Sequence, residues 1–419
     1  MRKSAAVLVS LSLGVAALSL AYGQGKTKIT IESWRNDDLK IWNEKIIPAF
    51  NKQYPNIEVV FAPSAPTEYN AALDAKLQAG SGGDLITCRP FDQSLGLFQK
   101  KQLEDLSSLK GMGNFSPVAK SAWQTDDGKS TFCVPIASVI HGFIYNKKIF
   151  SELKLTPPKT DAEFYKLLET IKKSGKYAPL VMGTKDQWES ATMGYQNIGP
   201  NYWGGENGRK ALIAGTAKYN AGGFLKAFEA LAKWKPYLPK GYQSLAYPDA
   251  QNLFSLGKGA IYPAGSWDIS TFRAAKMDIG AFKPPLPAGV SRCQISDHTD
   301  IAIGLNAASP NKDAAKTFLE WMTTDEFASI YSNALPGFFS LNSKAKVKLS
   351  DPVAQEFVSW RSGCDSTIRS AYQILSRGNP SNENDLWGAS AAVLNGTKTP
   401  AQAARDVQKN LESWYKPGK

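Results

Sequence analysis

Only two histidines, His141 and His298, occur in 419 residues, which removes most routes to a metal centre or a histidine-based acid–base site. Neither a G-x-S-x-G nucleophile elbow nor an H-E-x-x-H motif is present. Gly128-Lys129-Ser130 has the ending of a phosphate loop, but Trp123 stands where that loop needs its first glycine. The tripeptide reads as a surface turn after Asp126-Asp127. Adjacent acids such as Asp37-Asp38 exist, yet carboxylates are too common in a chain of this size to define a glycosidase pair. Catalysis is unsupported, and no cofactor is called for. Cysteine is also scarce. Cys88, Cys133, Cys293 and Cys364 fit no zinc spacing, and an even number in an exported chain favours disulfides. Three pairings are possible; joining sequence neighbours, Cys88–Cys133 and Cys293–Cys364, is the simplest of them.

Long apolar runs are missing after the N-terminus, so the body is not expected to span a membrane. Runs of like charge are missing too. The formal net charge is +12, but Lys and Arg are dispersed among acids, which describes a solvated surface and no nucleic-acid footprint. Internal repeats and low-complexity linkers are absent.

What is present begins with Arg2-Lys3, an apolar stretch from Ala5 to Leu20, and Ala21-Tyr22-Gly23. This is the layout of a secretory leader covering residues 1–23, and no cysteine lies near enough for a lipoprotein anchor. The mature chain, from Gln24, is then exported. It is too long for one compact core and natural for two domains.

Periodicity supplies the elements. KITIESW from Lys28 predicts a strand ending at Trp34-Arg35, Leu39 to Tyr54 a helix, and Ile57 to Ala62 a second strand. Tyr69 to Ala79 predicts a helix and Asp84 to Cys88 a third strand. That order implies βαβ units and a mostly parallel sheet. Phe132 to Tyr145 reads as extended, and Asp161 to Ser174 as a helix capped by Thr160. Gly222 to Trp234, Pro248 to Ser255, Lys312 to Met322 and Asp325 to Ala334 predict helices. Gly259 to Gly265 and Asp300 to Ala307 predict strands, and the tail from Pro352 reads as almost wholly helical.

Aromatics are plentiful, and many fall at strand ends or in loops: Trp34, Trp188, Trp203, Trp267 and Phe338. Ligands of open α/β sheets bind beyond the carboxyl ends of strands, which is where these rings are expected. A sugar has an apolar C–H face that an indole covers and a hydroxyl rim that Asp, Asn, Arg or His hydrogen-bonds. Trp267 beside Asp268 suits that task. Trp42, Trp123, Trp234, Trp321 and Trp360 belong in or beside predicted helices and are assigned to cores and surfaces.

Four blocks carry a family likeness: VPIASVIHGFIYNKKIF (Val134 to Phe150), GAIYPAGSWD (Gly259 to Asp268), IGLNAASPNKDAAKTFLEWMTTDEF (Ile303 to Phe327) and SAAVLNGTKTPAQAARDVQ (Ser390 to Gln408). In that order they resemble the extracellular sugar-binding proteins of ABC importers, the group that includes maltose-binding protein. The resemblance implies the two-lobed periplasmic-binding-protein fold of type II. Residues 24–138 and 299–344 would form the first lobe, and 139–298 and 345–419 the second, with the ligand between them. It further implies a sugar ligand, a membrane permease as partner, hinge closure and a monomer. Trp267 would be the stacking platform, with Trp188 and Trp387 as further aromatic contacts. Trp34-Arg35 and Arg89 to Asp92 would line the first lobe's side. His141, His298 and Asp300, near the crossings, are further candidates. Cys88-Arg89 replace the aromatic that maltose-binding protein has after the third strand, so the ligand need not be a maltodextrin. The rival readings are a secreted glycoside-active enzyme and the same receptor fold serving a polyamine or a phosphate ester.

Overall fold

The computed structural model describes residues 25–417, so the leader assigned above lies outside the described residues. Strand β1 (Thr27–Ser33) buries Ile29 and Ile31 and pairs in parallel with β2 (Ile57–Pro63) and β3 (Leu85–Cys88). The helices between them fall where their spacing predicts, the first with a π-helical stretch over Trp42–Ile46 before Ile47–Gln53. Trp42 stacks on Phe61 at 4.5 Å, and Phe50 packs edge-on against Phe318 at 4.8 Å, which holds these helices to the sheet. Asp161–Ser174 begins with the capping box of Thr160 and Glu163, and Lys312–Met322 and Asp325–Ala334 also fall as expected.

The expectation of a mostly parallel sheet does not hold. Two thirteen-residue strands, β4 (Val134–Asn146) and β8 (Cys293–Leu305), run through the centre. Strand β8 pairs antiparallel with both β3 and β4. Consecutive βαβ units force parallel pairing only among themselves. A strand that re-enters the sheet after a long excursion is free to run the other way. Along β4 the register slips between Pro135 and Ser138, a bulge of the kind that bends a strand. Past it, His141–Tyr145 pairs antiparallel with β6 (Gly259–Gly265) in place of β8. Strand β7 (Ile279–Phe282) joins β4, β5 (Ala178–Leu180) lies parallel to β6, and the short β9 (Phe339–Ser340) pairs antiparallel with β4 at Ala137 and Ser138. Strand β4 thus runs from one sheet body, built on β1–β3 with β8, into a second built on β5–β7.

Strand β8 starts well before the predicted Asp300. Its early residues, Gln294, Ser296, Asp297 and His298, are polar and mask the strand pattern, although Ser296 and His298 are buried. The helical expectation for the tail fails at β10 (Cys364–Thr367), which pairs in parallel with the start of β8, and in the irregular chain that follows it. Both neighbour-pair disulfides form. Cys88–Cys133 ties β3 to the entry of β4, on either side of β8. A Cβ at Gly304 of β8 would sit 2.9 Å from one of these sulfurs and 3.0 Å from the other, so the bridge crosses β8 where that strand has no side chain. Among the described residues, no helix is long and apolar enough to cross a membrane.

Candidate functional site

A cavity of about 340 Å3 opens between the two sheet bodies. Its walls come from strand ends: Trp34 and Arg35 follow β1, Arg89 to Gln93 follow β3, and Trp267 follows β6. Trp188 and Thr192 close one side. Helix Asn382–Asn395 contributes Glu383 and Trp387, four residues apart and so on one helical face. A concave site that combines aromatic rings with convergent charged groups is suited to a small molecule.

Trp34, Trp267 and Trp188 are held by specific neighbours. The Arg89 guanidinium lies 4.5 Å over Trp34, and Tyr69 meets the same ring edge-on at 5.6 Å. Trp267 lies flat against Gly265, where a Cβ would approach its ring to 1.8 Å, so only glycine fits there. His141 meets Trp267 edge-on at 5.3 Å, and the Trp267 N–H donates to the Tyr247 hydroxyl at 3.1 Å. Trp188 packs edge-on against Tyr247 at 4.8 Å. Backbone strain gathers here as well. Phe91, Gln187 and Gln373 have φ of 62°, 62° and 63°, uncommon for side chains other than glycine, and each is in the cavity wall or next to a wall residue.

The polar lining is ionic. Arg369 lies 3.8 Å from Glu383 and stacks over Tyr372 at 5.1 Å, while its Nε has no hydrogen-bond partner among the described residues. Burial pushes the carboxyls of Asp300 and Glu383 up, opposed by the charges of Arg369 and Arg89 on both and of Arg35 on Asp300. No side-chain hydrogen bond contributes to either carboxyl's shift, so both have acceptor capacity for a ligand. Arg35 is already engaged, since Asp38 takes it at 2.6 and 2.8 Å. At the rim, Arg377 donates to Asp92 at 2.6 Å and to Asp126 at 2.8 Å, so an ion pair spans the mouth.

Of the residues singled out in the sequence, Trp34, Arg35, Arg89, Asp92, Trp188, Trp267, Asp300 and Trp387 meet at this cavity. Five do not. His141 and His298 are buried behind it, Nε2 to Nε2 at 3.1 Å, with their Nδ1 atoms 3.0 and 2.8 Å from the carbonyls of Thr192 and Thr299. Burial drives both imidazoles toward the neutral form. Trp203 stacks on Phe224 at 4.8 Å inside a core, because helix Pro200–Trp203 turns it inward. Phe338 is buried under the Arg35 guanidinium, 5.0 Å away. Asp268 is buried beneath Tyr247, whose hydroxyl donates to it. Sequence reading missed Tyr247, Arg369, Tyr372 and Glu383. Tyr247 opens a helix beside Pro248, and its phenol had no pattern to single it out. Arg369 and Tyr372 lie in the irregular chain mistaken for helix.

The chain is similar over residues 33–328 to the family described as bacterial extracellular solute-binding protein. It is 29% identical over 242 residues to an uncharacterized ABC transporter extracellular-binding protein of Pyrococcus horikoshii; that match spans 57% of this chain and only 56% of the relative. It is 26% identical over 381 residues to the maltodextrin-binding protein MdxE of Bacillus subtilis, spanning 85% of this chain and 86% of that one. Its fold is similar to that of the bacterial solute receptor AcbH, described as having an exclusive preference for β-D-galactopyranose. The TM-score is 0.80 at 16% identity, covering 94% of this chain and all (100%) of the other.

Proposed function

Since the chain belongs to the bacterial extracellular solute-binding proteins, we propose that it captures a mono- or small oligosaccharide in the cavity between its sheet bodies and delivers it to an ABC-importer permease. The observation that carries this reading is the pairing of four indoles with three charged groups, Asp300, Glu383 and Arg369, that make no side-chain hydrogen bond among the described residues. Trp34, Trp188, Trp267 and Trp387 offer faces for the apolar side of a pyranose, and Asp300, Glu383 and Arg369 offer acceptors and donors for its hydroxyls. Relatives named for maltodextrin, galactooligosaccharide and multiple-sugar binding support a carbohydrate over other solutes. The family and the relatives named for sugar binding are binding proteins, which supports a receptor over an enzyme.

In this reading, residues 24–138 with 299–344 form one lobe and 139–298 with 345–419 the other. The leader is removed after Gly23, and the mature monomer works in the periplasm or outside the cell. The lobes close about the crossings of β4 and β8. Sugar favours the closed form only through contacts that the open form lacks. Arg377 with Asp92 and Asp126 would be one protein–protein contact of the closed form. A thermal-shift screen of the chain from Gln24 against neutral mono- and disaccharides, phosphate and spermidine tests the assignment. A ligand that binds only the folded state raises the midpoint by mass action. A rise with one class of sugar is expected. A rise with spermidine or phosphate and none with any sugar would overturn the carbohydrate reading.

A further inference from the structure

The Trp267 indole can only donate, so the Tyr247 oxygen, 3.1 Å away, must accept from it. The Tyr247 proton is then committed elsewhere, and the atom that takes it is Asp268 Oδ1. The same oxygen accepts from Gln251 Nε2 at 2.9 Å, while Asp268 Oδ2 has no partner among the described residues. Asp268 is fully buried and does not line the cavity, whereas Tyr247 does. Tyr247 also packs against Trp188 and takes its backbone orientation from Asp186, which accepts its N–H at 2.8 Å. One phenol therefore fixes the tilt of two cavity indoles, and one buried carboxylate fixes the phenol.

We propose that Asp268 and Tyr247 are positioning residues: the hydrogen-bond relay from Trp267 through Tyr247 to Asp268 sets the aromatic walls and leaves the Tyr247 oxygen able only to accept from a ligand hydroxyl. The specificity part rests on the carbohydrate reading above; the relay itself does not. A ligand group that can only accept is rejected at that oxygen.

The relay is charge-sensitive. Burial raises the Asp268 carboxyl to about 7, countered by the bonds from Tyr247 and Gln251. Facing it are Asp37 and Arg35 from the chain after β1, Glu189 next to Trp188, and Tyr262 of β6, whose hydroxyl is also unpartnered. Asp37 adds to the rise and Arg35 opposes it, while Glu189 is itself pushed up, by burial first and by Asp268 among its acidic neighbours. As pH falls through the midpoint, Asp268 gains a proton and becomes a weaker acceptor. Tyr247 then holds its proton less firmly toward Asp268, and its oxygen becomes a poorer acceptor for the indole and for the ligand. Sugar affinity is expected to fall about three- to tenfold on going from about pH 8 to about pH 6, the size of one weakened hydrogen bond to a charged group.

The deciding measurement needs no ligand. In the nitrogen-15-labelled full chain, the Trp267 indole N–H resonance is identified by its loss in Trp267→Phe. It should titrate with a midpoint of about 7 in the wild type and stay flat in Asp268→Asn, which keeps an acceptor oxygen but cannot ionise. Titrations with maltose, galactose and raffinose then follow the affinity. Asp268→Asn should lose the pH dependence and retain more affinity than Asp268→Ala, and Tyr247→Phe should weaken binding at every pH. An indole resonance that does not move with pH in the wild type, or moves equally in Asp268→Asn, overturns the relay. A titrating indole in a chain that binds none of the three sugars supports the relay and counts against the carbohydrate reading alone.

Discussion

Replacing Trp267 by alanine is expected to weaken sugar binding by about 30- to 1000-fold, the range that follows from losing about 2–4 kcal/mol at a central aromatic anchor. The ring is fixed on three sides, by Gly265, by the Tyr247 hydroxyl and by the His141 edge, so it meets a ligand already oriented. Truncation removes the stacking face and also frees Tyr247, so the loss exceeds that of apolar area alone. Trp203 provides the contrast. It lies in a core, stacked on Phe224, and Trp203→Ala should cost stability on the scale of about 3–5 kcal/mol for a core aromatic with little direct effect on affinity. Affinity from fluorescence titration and midpoints from thermal melts, taken on both variants, check the pair. Unchanged affinity in Trp267→Ala would remove this residue from the site.

The second large effect concerns the disulfides. Loop-closure entropy for sequence separations of 45 and 71 residues gives about 4 kcal/mol for each bridge in the chain-entropy account. The two should differ in their functional effect. Cys88–Cys133 crosses over β8 at Gly304 and ends one residue before Arg89, but β3 stays paired with β1 on one side and β8 on the other, so Cys88→Ser with Cys133→Ser should lower the melting midpoint and leave sugar affinity nearly unchanged. Cys293–Cys364 holds β10 to β8, and the chain leaving β10 brings Arg369 and Tyr372 to the cavity. Cys293→Ser with Cys364→Ser should therefore lower both the midpoint and the affinity. Equal affinity in the two double variants would mean that β10 does not position those residues. A midpoint unchanged in either would contradict the entropic stabilisation.

Local pattern explains what could be read beforehand. The helix from Asp161 and the strand ending at Gly265 follow from a cap and an apolar run, and both are found at the predicted bounds. Trp34 and Trp267 were legible as site candidates because strand ends face the cleft of an open sheet, and Trp188 as an aromatic in a segment between predicted elements. The failures have a common physical origin. Strand β8 carries polar residues that are buried by long-range partners, so its first half lacks an alternating signature. The segment after β10 is held by a disulfide and by ion pairs to distant chain, as between Arg377 and Asp92, and not by its own periodicity. His141, His298 and Asp268 were sensible polar candidates. Whether such a side chain faces a cavity or its supporting layer depends on one or two residues of register, which sequence spacing does not resolve.

The most direct test of a single sugar site shared by both sheet bodies is calorimetric titration of the mature chain alongside Trp34→Ala and Trp387→Ala, whose side chains come from opposite walls of the cavity. The account predicts one sugar per chain and a loss of at least about tenfold in affinity in each variant, the scale of a lost aromatic contact at a binding site. Sugar binding untouched by both substitutions, or heat from a polyamine or phosphate alone, would contradict it.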